Sequence, residues 1–152
     1  MDFDINNHFH CSLFIAPATT AFSQSISILL LINIKMEEFQ LEFVSAKTIS
    51  ECLKIPAPTV VKILKNLNEA GIIATKEGAK GGVLLIKSIA EITLLDIFLA
   101  IEHEAPLFKT QIDFFVENQQ VDDVRLKITN CLQDAEKVMK ESLKKTTLAD
   151  LY

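Results

Sequence analysis

The stretch from Ser45 to Ser88 constrains this chain more than any other. Within Thr59–Gly71, Val60, Ile63, Leu64 and Leu67 recur at helical spacing and make one apolar stripe. Pro58, Lys62, Lys65 and Glu69 lie opposite, with Val61 on the border. Ala70-Gly71 ends the helix, because glycine takes the left-handed conformation that a stop requires. Two short apolar runs follow, Ile72–Thr75 and Val83–Ile86. The Gly78-Ala79-Lys80-Gly81-Gly82 turn between them suits a hairpin. A shorter helix precedes all this, with Ser45 as its N-cap, Thr48 and Glu51 as a competing capping box, and Ile49, Cys52 and Leu53 facing inward. Helix, turn, helix, hairpin is the order of a winged helix-turn-helix.

Charge sharpens that expectation. The whole chain of 152 residues carries a net charge of −5, which by itself points away from nucleic acid. Residues 44–90 alone hold seven lysines against three acidic residues, and the segments on either side are acidic. A locally basic module is the electrostatic footprint of a phosphate-binding face.

The flanks complete the architecture. Residues 1–20 form a leader, in which His8, His10 and Cys11 are too few and too local to define a metal site. No Asp, Glu, Lys or Arg occurs between Ile5 and Ile34. Pro17 and many polar residues interrupt that stretch, and the dense apolar run is only Ile26–Ile34, too short for a membrane span. The acidic start, Asp2 and Asp4, is also wrong for a signal peptide. A first helix is expected over Ala21–Met36. Phe22, Ile26, Leu29, Leu30 and Asn33 form its face, and further apolar residues lie nearly all round, so it should sit centrally. Phe39, Leu41 and Phe43 are expected to fold back from a loop. Residues 21–90 make the winged domain and 91–120 a connection, in which Thr93 caps a helix whose Leu94, Leu95, Ile97, Phe98 and Ile101 face inward.

Residues 121–146 form a long helix, with Val121, Val124, Ile128, Cys131, Leu132, Ala135, Val138 and Met139 on one side. Such a helix after a complete small domain calls for a second copy of the chain, so a homodimer is expected. Residues 147–152 are a tail. Three separated cysteines with no CxxC pair fit a reduced, cytoplasmic protein. Cys52 and Cys131 read as small apolar residues. Glu102, His103 and Glu104 form an acid–His–acid run, but consecutive helix positions point in different directions and no nucleophile or phosphate loop accompanies them. The chain does not read as an enzyme.

At this point the residues resemble a known family. LKNLNEAGII, the wing GAKGG, EITLLDIFLAIE and LKKTTLADL together resemble the Rrf-two family of bacterial transcriptional regulators, especially its YwnA-like branch, over about residues 22–151. The resemblance implies a mainly α fold with a small β-hairpin wing and a long C-terminal dimerisation helix. It implies double-stranded DNA and a second copy of the chain as partners, a palindromic operator, and an effector of unspecified kind. Base contacts would come from Pro58, Thr59, Val61 and Lys62, and phosphate contacts from Lys65, Lys76 and Lys80. Gly78, Gly81 and Gly82 would let the wing approach the duplex. Three departures stand out: Glu77 where relatives carry Arg before the wing glycine, an uncharged Thr19-Thr20-Ala21 at the first helix, and Ala57 in place of a capping residue. Cluster-binding relatives place three cysteines in the interval His103–Gln120, which here has none, so no iron–sulfur cofactor is expected.

Overall fold

A computed structural model describes residues 17–78, 81–102, 106–108 and 119–152. Helix α1 (Pro17–Glu38) begins earlier than expected, so the last part of the leader is helical. Proline lacks an N–H that the first turn would leave unbonded anyway, so Pro17 starts the helix rather than breaking it. The buried stripe is Ser25, Ile28, Leu29, Ile32 and Asn33, a step round from the expected face; Phe22, Ile26 and Leu30 are half-buried. The Ser25 hydroxyl donates to the Ala21 carbonyl at 2.6 Å, which lets a polar residue enter the core. Phe22 packs edge-on against Phe98, with ring centroids 5.7 Å apart.

Helix α2 (Ala46–Leu53) is capped by Ser45, whose Oγ accepts from the Thr48 amide at 3.1 Å. Ile49 is fully buried, but Cys52 is exposed and Leu53 half-buried. Over two helical turns the core takes a narrow stripe, and Cys52 falls just outside it. Lys54 then turns left-handed at φ +55°, and Ser50 Oγ donates to the Ile55 carbonyl at 2.6 Å, closing the tight turn. Helix α3 (Ala57–Glu69) follows, with Val60, Ile63, Leu64 and Leu67 all buried as expected.

The hairpin pairs β1 (Ile73–Lys76) antiparallel with β2 (Gly82–Leu85), Ile73 opposite Leu85 and Lys76 opposite Gly82. Val44 joins its edge: the Val44 and Val83 amides and carbonyls exchange two bonds of 2.9 Å. Of Phe39, Leu41 and Phe43, all expected to fold back, only Phe43 is half-buried. Phe39 is 57% and Leu41 43% exposed, and Val44 is the residue that enters the core. The strand-like bridge at Val44 sets which side chains point inward; Phe39 instead lies 4.3 Å beneath the Lys35 ammonium.

Helix α4 (Leu94–Glu102) opens with a reciprocal cap: the Asp96 amide donates to Thr93 Oγ1 at 3.1 Å, and the Thr93 amide to Asp96 Oδ2 at 2.9 Å. Ile97, Phe98, Ala100 and Ile101 are buried, whereas Leu94 and Leu95 are only half-buried. Helix α5 (Gln119–Lys144) has no buried residue along its 26 positions. The final residues are not a free tail. They form a 3-10 turn (Leu148–Leu151) capped by Thr147 and Asp150, and Leu148 is completely buried. Leu148 donates to the Ile92 carbonyl and Leu94 to that of Thr146, both at 2.9 Å, so the end of the chain is stitched beside α4. No described helix is long and apolar enough to cross a membrane.

Candidate nucleic-acid interface

The interface rests on how α3 is started and stopped. Its first residue is Ala57, and the N-cap is Pro56, one position before the expected cap. No side chain caps it; the Pro56 carbonyl takes the amides of Thr59 and Val60 at 2.9 and 3.1 Å, and Pro58 suits the first turn. At the other end the Ile72 amide bonds the Leu67 carbonyl and the Gly71 amide that of Asn68, both at 3.0 Å, with Gly71 at φ +68°. This paired arrangement is the Schellman stop. It turns the chain straight into the wing, and Thr75 Oγ1 adds a 3.3 Å bond to Asn68 Oδ1.

Pinned this way, α3 buries one face and presents the other. Pro58, Lys62 and Lys65 are exposed, Thr59 is half-buried, and Val61 is 57% exposed, well clear of the border position expected for it. Lys65 lies 3.8 Å from Glu69 in an exposed pair, worth little and easily exchanged for a phosphate. At the wing, Lys76 is exposed and its ammonium sits 4.7 Å above the Phe43 ring. Glu77 is exposed beside it. Lys80 lies outside the described residues.

The wing glycines serve the chain's own packing. The Gly81 amide donates to the Gly78 carbonyl at 2.9 Å, and a Cβ on Gly81 would strike the Lys76 carbonyl. A Cβ on Gly82 would stand 2.7 Å from the Val44 carbonyl oxygen, so that glycine is needed for the Val44 bridge. Gly78 sits at φ +112° with open space around it, the one wing glycine whose requirement is purely conformational.

The fold also unites residues far apart in sequence. Thr20, Ala21 and Gln24 of α1, Pro58, Thr59 and Lys62 of α3, and Ile101 and Glu102 of α4 line one groove. The uncharged start of α1 therefore lies beside the start of α3. Neither the groove nor Val44 was visible from periodicity, which reports one element at a time.

On α5 the residues proposed for a dimer divide. Val121, Ile128, Leu132 and Met139 are half-buried, while Val124, Cys131, Ala135 and Val138 are exposed, Val138 at 66%. Cys131 is thus not buried within its own chain. Leu126, outside the expected stripe, is 61% exposed. Glu136 accepts from Lys140 at 2.7 Å and from the Leu107 amide at 3.1 Å, and these contacts hold its carboxyl below the usual Glu range. Among the described residues no cluster of His, Cys, Asp or Glu could hold a metal, and Cys52 and Cys131 lie on different helices, both facing solvent.

A two-stranded wing packed behind an exposed helix, on a helical core, defines a winged helix-turn-helix regulator of the DNA-binding class. The comparisons carry this to a family. Residues 18–152 match the Rrf2 family, described as "Iron-dependent Transcriptional regulator", and the chain belongs to it. The chain is 27% identical over 135 residues to YffB of Lactococcus lactis, named as an HTH-type transcriptional regulator, covering 88% of this chain and 85% of that protein. A transcriptional regulator from Lactobacillus plantarum superposes with a TM-score of 0.73 at 17% identity, covering 86% of each chain. CymR, the global cysteine regulator of B. subtilis, superposes at 0.59 with 23% identity, over 87% of this chain and 92% of its own. The family and these relatives are transcriptional regulators, not enzymes.

Proposed function

We propose that the chain is a dimeric, cytoplasmic repressor that binds a palindromic operator through two recognition helices and their wings, with no iron–sulfur cluster. The observation that carries this reading is α3. It offers Pro58, Val61, Lys62 and Lys65 to solvent on a helix whose other face is fully buried and whose end is locked to the wing. Such a helix fits a major groove, and Lys76 stands where a wing reaches phosphate. Residues 21–90 act as the DNA-binding domain and 91–120 as the connection. Residues 121–146 form the dimer seam, through Val124, Cys131, Ala135 and Val138 together with the half-buried Val121, Ile128, Leu132 and Met139.

The absence of a cluster is read from the sequence. The family's description invokes iron, yet the interval His103–Gln120 holds no cysteine, and a thiolate-held cluster lacks its donors there. A second reading, a regulator of the same fold that works through protein contacts, draws on Glu77, exposed on the proposed DNA side, and on the uncharged Thr19-Thr20-Ala21 at the start of α1.

Fluorescence anisotropy on a fragment of the protein's own promoter region, at low and moderate salt, separates the two. Specific binding that falls steeply with salt supports the repressor, and Lys62→Ala should then weaken it by about tenfold. A folded dimer with no specific binding at low salt would leave only the second reading.

A further inference from the structure

We infer that the groove between α1, α3 and α4 is a binding site for a small zwitterion of amino-acid size, held between Lys62 and Glu102 and oriented by Asn66. The cavity measures about 770 Å³, and ligand sites span roughly 300–1,000 Å³. Asn66 is only 9% exposed, lines the groove, and its side-chain amide makes no hydrogen bond with any described residue. Its amide is open to the groove rather than sealed in the core, and it presents both a donor and an acceptor to whatever fills the space.

Lys62 and Glu102 line the same groove, and neither takes part in any of the ion pairs among the described residues. One cation and one anion facing a shared cavity without pairing are matched by a ligand carrying both charges. A simple anion would meet the Glu102 carboxylate and a simple amine the Lys62 ammonium, so each is disfavoured. Ile63 and Ile101 give the apolar wall for a short side chain.

The consequence for regulation rests on the DNA-binding reading above. Pro58, Thr59 and Lys62 belong both to this groove and to the proposed DNA face. A carboxylate on Lys62 removes that ammonium from the duplex, so a bound zwitterion lowers operator affinity.

The test starts without DNA. The full chain is titrated with the protein L-amino acids, singly at millimolar concentration, and followed by thermal denaturation and by the Asn66 side-chain amide resonances. At least one compound should raise the midpoint by about 2 °C or more and move those resonances. Its N-acetyl and methyl ester forms, each lacking one charge, should bind at least about tenfold more weakly. Asn66→Leu, close in shape, and Glu102→Gln, at a half-buried helix end, should each lose about tenfold while keeping the native far-UV spectrum. No shift with any compound, or equal binding of the capped forms, overturns the site. Because binding is read without DNA, failure of the operator reading leaves this result standing. A ligand that binds but leaves operator affinity unchanged overturns the regulatory coupling alone.

Discussion

Helices α3 and α5 are both amphipathic, but the chain treats them differently. The apolar stripe of α3 is closed by α2, α4 and the wing, and its four stripe residues are all less than 9% exposed. The apolar positions of α5 find only partial cover, and Val124, Leu126 and Val138 remain 44–66% exposed. The comparison teaches that periodicity declares a need for a partner without saying whose surface supplies it. For α3 the supplier is the same chain. For α5 the described anchors are the Glu136–Leu107 contact and Leu148 just beyond its end, and the open face is what a second copy would cover.

The strongest way to break this contrast is to charge the open face. Val124→Asp combined with Val138→Asp would put four carboxylates into the proposed two-fold seam. The dimer dissociation constant should then rise by about a thousandfold or more, roughly 4 kcal/mol, in sedimentation equilibrium. The variant's far-UV spectrum should stay native, because neither residue is part of its own chain's core. An unchanged oligomeric state would mean that α5 has another role.

Leu148→Ala probes the anchored end. Removing a fully buried leucine costs about 2–5 kcal/mol of unfolding free energy, measured by denaturant titration. A loss below about 1 kcal/mol would show that the terminal turn merely rests on α4.

Gly71→Ala tests the stop of α3. At φ +68° with open space around it, the substitution is penalised by backbone conformation alone, about 1–2 kcal/mol.

The smallest effect concerns pH. Glu136 has its carboxyl lowered first by the Lys140 hydrogen bond, then by the Leu107 amide and the Lys140 charge, against some desolvation. Its contribution is fully present above the ordinary Glu value of 4.5 and is lost as pH falls through the lower folded value. Stability of Glu136→Gln should therefore depend less on pH below that point, in melts at constant ionic strength. A parallel pH profile would remove the Lys140–Glu136–Leu107 clasp from the account of how α5 meets its own domain.

Much of the winged domain was legible because its signals are local. Val60, Ile63, Leu64 and Leu67 announced their stripe by spacing, Gly71 its stop, Ser45 and Thr93 their caps, and the glycines the hairpin. Where neighbours in space decide, the reading slipped. On α1 nearly every side is apolar, so composition could not choose between Ile28 and Ile26 for the deepest position. Cys52 lies one step outside a stripe too short to define its own edge. Phe39 and Leu41 had the right chemistry for the core, but Val44 had the right register.

The candidate site divides along the same line. The chain by itself determined that α3 exists, where it ends, and that Lys62, Lys65 and Lys76 are free to face solvent, because helix period, glycine conformation and hairpin spacing act between near neighbours. Tertiary structure alone decided that Gln24 and Glu102 share a groove with Lys62 and Asn66, and that the last residues of the chain lock onto the first turn of α4. Those contacts join residues roughly 40 to 55 positions apart, and no local rule of backbone geometry reaches that far.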